Sequence, residues 1–159
     1  MKTRTGSFSI GFRRGMSEWQ QDLDGLIAWA EEVDMEVIDL HRDGDTAAKT
    51  VLDAGLQVGS VDLPDTRGMI SADKGKRAEA IARNAEYIEA CAVYGPMDHF
   101  LVMLPEDPNL SRRENFDYMV DSFGAFGFFI EFVGEDMLQC KCSSYSHIMV
   151  GKKLVYVTI

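Results

Sequence analysis

The stretch EVIDLHRDG, residues 36–44, combines the pattern of a buried strand with two ionisable side chains. Ile38 and Leu40 are typical of a buried strand. Asp39 and His41 occupy the alternate positions. Because successive side chains of a strand point to opposite faces, this strand is predicted to have one apolar face and one polar face.

The strands predicted on either side of this stretch show the same division. The first, residues 7–12, is followed on its polar face by Arg13, and the third, residues 56–64, carries Asp62 on its polar face. Strands of an open doubly wound sheet are covered by helices on both faces and are apolar throughout. One-sided polarity instead favours a (β/α) barrel, whose inner face opens at the carboxyl ends of its strands.

Helix and strand signals alternate along the first 123 residues. They predict a helix from the Ser17–Gln20 capping box to about Val33, a helix over 46–54 capped by Asp45, a helix over 73–94, a strand over 99–104 and a helix from the Ser111–Glu114 capping box to about Phe123. Strands connected through helices run parallel, so the order predicts an α/β fold. No glycine-rich phosphate-binding motif follows the first strand.

The pattern changes after residue 123. The apolar run predicts a fifth strand around 128–133, and SHIMVGKKLVYVTI, residues 146–159, predicts a hairpin turning at 151–152. We therefore expect a domain over 1–127, with four to five parallel strands and outer helices. Residues 128–159 are expected to form a divergent β-rich tail that arises from truncation, deletion or a frameshift.

Composition narrows the class of protein. The chain has 159 residues, a net charge of −10 and no apolar run of membrane-spanning length. The acidic charge disfavours nucleic acid as a partner, and the N-terminus lacks the apolar core of a signal peptide, which favours the cytoplasm. The three cysteines, an odd number, argue against a disulfide framework. Cys140 and Cys142 lie near His147, but unpaired thiols are the favoured interpretation over a metal site.

Four polar residues are expected to meet at the mouth of the predicted barrel: Arg13, Asp39, His41 and Asp62. An arginine, two carboxylates and an imidazole suit a polar, anionic or metal-chelating small molecule. The alternative is that Asp39 and His41 only satisfy each other, or nearby backbone groups, at a strand end. His99, at the start of the fourth strand, is predicted to be structural.

Five stretches together resemble sugar phosphate isomerases and epimerases of the xylose isomerase-like TIM-barrel superfamily. They are GFRRGMSEWQQDLDGLIAWA (11–30), EVIDLHRDGD (36–45), LDAGLQVGSVDLPD (52–65), KRAEAIARNAEYIEACAVYGPMDHFLVMLPEDP (76–108) and RRENFDYMV (112–120). The resemblance covers about residues 7–123 and lies in the ordered series of strand ends and helices.

The resemblance implies metal-assisted proton transfer on a sugar or sugar phosphate. It implies a divalent ion (Mn, Mg, Zn or Co) held at the mouth by carboxylates and a histidine, mostly from strands five to eight. Glu131, in an Ile-Glu context, is the candidate first ligand. Asp39 and His41 would then be catalytic, and Arg13 and Asp62 would bind the substrate.

The sequence leaves three alternatives to this function. A complete barrel typically needs about 250 residues, so a non-catalytic half-barrel that binds a small polyol or self-associates through open sheet edges is the main alternative. An abasic-site endonuclease shares the superfamily but conflicts with the acidic charge. A flavodoxin-like open sheet conflicts with the one-sided polarity of the strands.

Overall fold

The structure is a computed structural model that describes the backbone of residues 9–102, 104–133, 147–150 and 153–156, and side chains up to residue 125. The chain divides into two compact units, Met1–Asp62 and Leu63–Ile159. The first contains the strands and helices β1 (Gly11–Arg13), α1 (Glu18–Gln21), α2 (Leu23–Glu32), β2 (Val37–Asp39), α3 (Gly44–Asp53), β3 (Gln57–Val58) and β4 (Ser60–Asp62). The predicted domain boundary near residue 127 stays a prediction.

A parallel sheet in the order β1-β2-β3 organises the first unit. Its register pairs Arg13 with Asp39. Hydrogen bonds continue beyond β2, because the Leu40 N–H donates to the Ser60 carbonyl at 2.8 Å and the Asp62 N–H to the His41 carbonyl at 2.9 Å. The carboxyl ends of β1, β2 and β4 therefore lie side by side.

The predicted division of the strands into two faces is confirmed. Ile38, Leu40 and Val61 are fully buried. On the same side, the Phe12 ring meets the Trp29 ring of α2 edge to face, with centroids 5.0 Å apart. The apolar face thus packs against helices, while the face that carries the ionisable side chains is only half-buried or exposed.

The helix predicted from Ser17 to Val33 is instead two helices that meet at Asp22. The Asp22 side chain accepts a hydrogen bond from the Gly25 N–H at 3.2 Å and caps α2. Aspartate competes in this way for backbone donors, which starts a new helix where periodicity alone predicts a continuous one. The Ser17 hydroxyl donates to the Gln20 side chain and makes no hydrogen bond to the helix backbone.

Helix α3 begins earlier than predicted, with Asp43 rather than Asp45 at its N-cap. The sequence also predicts that Gly55 stops this helix, and this is confirmed, since Gly55 has a φ of +84° just past the helix. A left-handed residue is the usual way to end a helix, and glycine adopts it without steric cost.

The second unit contains a short 3-10 helix (Gly68–Ile70), α4 (Lys74–Ala92), β5 (Asp98–Phe100), α5 (Arg112–Val133), β6 (His147–Val150) and β7 (Lys153–Tyr156). The predicted hairpin is confirmed, because β6 and β7 pair antiparallel. In the part of the chain that the structure describes, no helix is long and apolar enough to cross a membrane.

The fifth strand predicted around 128–133 is wrong, because these residues continue helix α5. The helix predicted to end near Phe123 extends ten residues further, to Val133. A short apolar run has no periodicity that distinguishes a buried strand from a buried helix, and no proline interrupts this one.

Helix α4 buries a different set of residues from the one that its apolar spacing predicts, which is Ala78, Ile81, Ala85, Ile88 and Ala92. Ala85 and Ile88 are buried as expected, but Ala78 is exposed. Two polar residues, Arg77 and Asn84, lie on the buried side. Both side chains donate hydrogen bonds to backbone carbonyls of the preceding loop, which satisfies polar groups on the buried side.

Candidate functional site

Three of the predicted site residues come together at the carboxyl ends of β1, β2 and β4. Arg13 ends β1, His41 follows β2 and Asp62 ends β4. All of them belong to the first unit. We call these residues the Arg13–His41–Asp62 cluster.

Asp62 is the centre of this cluster. Nη2 of Arg13 donates to both carboxylate oxygens of Asp62, at 2.7 and 2.6 Å. Nδ1 of His41 lies 3.2 Å from Oδ2 of Asp62 and 3.5 Å from Nη2 of Arg13. A carboxylate only accepts hydrogen bonds, so a neutral His41 that donates from Nδ1 keeps its basic lone pair on Nε2.

Solvent reaches this cluster. The Arg13 side chain is 39% exposed and that of Asp62 is 18% exposed. A solvent-accessible ion pair contributes only up to about 1 kcal/mol to stability. The cluster therefore joins three strand ends and also remains accessible to a small molecule.

Asp39 lies on the same face but in different surroundings. Its carboxylate makes no hydrogen bond to any described residue, and it lies against Gly59, where an added Cβ would collide with Oδ1 of Asp39. Asp39 and His41 do not satisfy each other, since the ring of His41 contacts Asp62 instead. Asp39 is thus the available carboxylate on this face.

Arg14 has a structural role that the sequence did not reveal. Its guanidinium donates to the carbonyls of Gln20 and Gln21 and pairs with Asp43 at 2.5 Å. Burial of Arg14 contrasts with the exposure of Arg13 next to it. The alternation of faces along β1 is the signal that distinguishes the two arginines.

His99, predicted as structural, is 2% exposed in the second unit. Neither ring nitrogen has a hydrogen-bond partner among the described residues, and the ring meets Tyr87 edge to face at 6.2 Å. Burial lowers the pKa of His99 from 6.5 to about 4. The ring is therefore neutral near pH 7.

A second polar group, missed from the sequence, links the start of α4 to the segment after β5. The Ser71 hydroxyl and Nζ of Lys76 donate to the carboxylate of Glu106, at 2.5 and 3.0 Å. The hydrogen bond from Ser71, followed by that from Lys76, lowers the pKa of Glu106. These groups satisfy one another and hold two loops of the second unit together.

The described residues do not fit the divalent ion that the resemblance implies. No group of three histidine, cysteine or acidic side chains among them is arranged to hold a metal. The carboxylate of Asp62 already accepts two hydrogen bonds from a guanidinium, whose positive charge opposes a second cation. Glu131 lies within α5 and not at a strand end, and its side chain is outside the described part.

The groups on this face suit binding and proton transfer. Arg13 offers a fixed cationic donor, the carboxylate of Asp39 accepts hydrogen bonds, and a neutral imidazole such as that of His41 has one nitrogen that donates and one that accepts. Together these groups match the hydroxyl, carbonyl or phosphate oxygens of a small polar molecule.

Comparison with known proteins gives a result at the level of structure only. No protein-family model and no curated protein matches the sequence. Three solved structures that resemble the chain are an L-ribulose 3-epimerase, a 3-keto-D-glucoside 4-epimerase from E. coli and a D-psicose 3-epimerase determined in the presence of D-fructose.

These similarities are distant in sequence and extensive in fold. Identities are 19%, 12% and 15%, each with a TM-score of 0.60. The matches cover 79%, 79% and 80% of this chain but 46%, 52% and 50% of the three epimerase chains. The chain thus spans about half the length of the structures it resembles.

The parallel strands, the intervening helices and the agreement over about 79% of the chain lead to one conclusion: this protein has an α/β fold that matches part of a TIM barrel, as found in these three epimerase structures.

Proposed function

We propose that this protein is part of a sugar isomerase or epimerase, with the described strand ends forming the substrate-binding side of the barrel mouth. The observation that carries the proposal is the meeting of Arg13, His41 and Asp62 at the carboxyl ends of three strands. In barrels of this kind, active sites are built at that end. The names of the three structural neighbours support a sugar as the substrate. A sugar phosphate is proposed from the sequence resemblance alone.

The proposal gives each residue a role. Arg13 binds a hydroxyl, carbonyl or phosphate oxygen of the substrate, and Asp62 contributes to substrate binding by holding Arg13 in place. Asp39 and His41 are the catalytic groups, because a carboxylate and an imidazole can remove and return a proton at the carbon beside a carbonyl. Asp62 also orients the ring of His41 through its contact with Nδ1.

A divalent metal enters the proposal only through residues outside the described mouth. The resemblance implies that the ligands of the metal lie on later strands. A metal bound there would polarise a carbonyl of the substrate. Glu131 remains the proposed ligand by resemblance alone, although its position in α5 does not support that role. No proton-transfer step of Asp39 or His41 depends on this assignment.

Isothermal calorimetry with D-fructose, D-psicose and L-ribulose tests substrate binding. Incubation of the same sugars with the protein in D₂O tests proton transfer, since removal and return of a C–H proton exchanges it for deuterium. We expect binding of at least one ketose, and weaker binding by Arg13→Gln. Absence of binding by the folded protein, with and without Mn²⁺, would overturn the proposal.

A non-catalytic half-barrel that self-associates is the second candidate function. It is favoured by a row of exposed apolar side chains in the second unit, at Phe100 (40% exposed), Val102 (45%) and Leu104 (50%). His99, just before the row, and Leu101, between Phe100 and Val102, are buried. An exposed apolar row is a surface that a second copy of the chain can cover.

A cytoplasmic location and the absence of a nucleic-acid partner stay predictions that rest on the sequence. Cell fractionation tests the first of these. Binding of labelled duplex DNA at low salt tests the second, because an acidic chain is expected to show none.

A further inference from the structure

Gly59 separates β3 from β4 without interrupting the hydrogen bonds to β2. Its N–H donates to the Ile38 carbonyl at 3.1 Å. Positive φ values occur at Gly55 and Gly95 among the described glycines, and not at Gly59. The backbone therefore does not require a glycine here for its conformation.

The space around Gly59 explains the glycine instead. A Cβ at this position would collide with Oδ1 of Asp39 and lie 2.7 Å from Cγ1 of Val37. Carbon atoms essentially never approach so closely without displacement of a neighbour. The Asp39 carboxylate thus occupies the volume that a side chain at Gly59 would need.

We infer that Gly59 is a positioning residue, which holds the Asp39 carboxylate on the polar face of the sheet by leaving room for it. This inference deepens the proposed function, since Asp39 is one of its two catalytic groups. A larger residue at 59 forces Asp39 into another rotamer and moves its charge away from the Arg13–His41–Asp62 cluster. A substitution at Gly59 is therefore expected to change ligand binding by displacing the Asp39 carboxylate.

A stability cycle tests the steric part of this inference without any sugar. We compare the melting temperatures of the wild type, Asp39→Ala, Gly59→Ala and the double variant. Gly59→Ala should lower the melting temperature by about 3 °C or more, or prevent folding. The double variant should regain most of that loss, because the group that collides with the new methyl is gone.

Two controls separate Asp39 from the other neighbours. Val37→Ala in the Gly59→Ala background removes the contact with Cγ1 and should restore less than Asp39→Ala does. Gly124→Ala should cause no loss, since a Cβ there would meet nothing within 4 Å. If Val37→Ala restores stability and Asp39→Ala does not, the space serves Val37 and the inference is wrong.

The position of the carboxylate is measured directly by NMR. The side-chain carboxyl carbon of Asp39, assigned by its disappearance in Asp39→Asn, should shift in every Gly59→Ala variant that folds and keeps Asp39. An unmoved signal together with an unchanged melting temperature would overturn the inference.

Calorimetry on the same variants separates this inference from the proposed function. If the wild type binds a ketose, Gly59→Ala should weaken that binding about tenfold, as Asp39→Asn does, and Asp39→Asn should add little in the Gly59→Ala background. If the wild type binds none, the proposed function fails, while the stability cycle and the NMR signal still decide the role of Gly59.

Discussion

Asp39 and Asp62 end two strands that lie side by side, yet their carboxylates have different surroundings. Asp62 accepts hydrogen bonds from Arg13 and contacts His41. The carboxylate of Asp39 instead lies in the space that a side chain at Gly59 would occupy. A residue that joins three strand ends contributes to stability. A half-buried carboxylate without a hydrogen-bond partner among the described residues contributes little and is available for a ligand.

This difference predicts opposite outcomes for two similar substitutions. Asp62→Asn should lower the free energy of unfolding by about 1 kcal/mol, because it removes charge-assisted hydrogen bonds. Asp39→Asn should change it by less than about 0.5 kcal/mol and should weaken ketose binding. Chemical denaturation and calorimetry measure the two quantities, with the exposed Asp24→Asn as the control. An equal loss of stability in both variants would make Asp39 a structural residue.

His99 predicts a specific pH dependence of stability. Its pKa is about 4 when folded and about 6.5 when unfolded, since burial disfavours the charged ring. As the pH falls, the unfolded chain therefore takes up a proton on His99 before the folded chain does. The free energy of unfolding decreases between about pH 6.5 and pH 4, and His99 causes no further decrease below about pH 4. The difference corresponds to a total of about 3 kcal/mol.

The comparison with His99→Leu isolates this contribution from the titration of carboxylates. Leucine has a similar volume, and neither ring nitrogen of His99 has a hydrogen-bond partner to lose among the described residues. Unfolding by urea at pH 4, 5, 6.5 and 8 should show a smaller loss for the variant between pH 6.5 and 4. Parallel curves for the two proteins would mean that the folded state also protonates His99.

At the scale of elements, Asn84 connects helix α4 to the loop that precedes the 3-10 helix. Its side chain accepts from the Asp65 N–H at 3.0 Å, donates to the Asp65 carbonyl at 2.9 Å and contacts the sulfur of Met69. Both backbone groups of Asp65 thus depend on one buried amide. A loop that loses these partners leaves its polar groups unsatisfied.

Asn84→Ala should therefore lower the free energy of unfolding by about 2 kcal/mol. The exposed Asn109→Ala, which loses only a local contact with Asp107, should change it by less than about 0.5 kcal/mol. Urea denaturation measures both. A loss below about 0.5 kcal/mol for Asn84→Ala would show that water replaces the amide in the loop.

Of the two predicted capping boxes, one forms in the structure and the other does not. At the start of α5, Glu114 accepts from the Ser111 N–H and hydroxyl, and the Glu114 N–H donates back to the hydroxyl, so the reciprocal pattern is confirmed. At α1 the same sequence pattern gives only a contact between the Ser17 and Gln20 side chains. A cap depends on local backbone geometry, which four residues of sequence do not determine.

At the scale of the whole molecule, the chain matches about half of each epimerase barrel in length. The apolar row at Phe100, Val102 and Leu104 is exposed in the second unit. If a second copy covers this row, charge within it should separate the copies, because a buried lysine without a partner is strongly unfavourable.

Val102→Lys should then convert an assembly into monomers. Native mass spectrometry measures the mass of the wild type and the variant and also reports any bound metal. Val93→Lys is the matched control, since Val93 is 75% exposed and lies outside the row. A wild-type monomer at micromolar concentration, or equal masses for all three proteins, would contradict self-association through this surface.

The sequence by itself determined the α/β class, the parallel order of the strands and the two faces of β1, β2 and β4. These follow from local rules: side chains alternate along a strand, and helices between strands enforce parallel pairing. The same rules placed Arg13, Asp39, His41 and Asp62 on one face, and the resemblance to the barrel superfamily agrees with the fold.

Only the tertiary structure decided which of these residues pair. Asp62 rather than Asp39 holds Arg13 and His41, and Asp39 lies over Gly59. It also decided that residues 128–133 are helical, which removes Glu131 from a strand end. Which side chains pair depends on strand register and on the space left by residues distant in the sequence. Whether an apolar run is a helix or a strand depends on the surface that it packs against. Local periodicity determines neither the pairing nor this conformation.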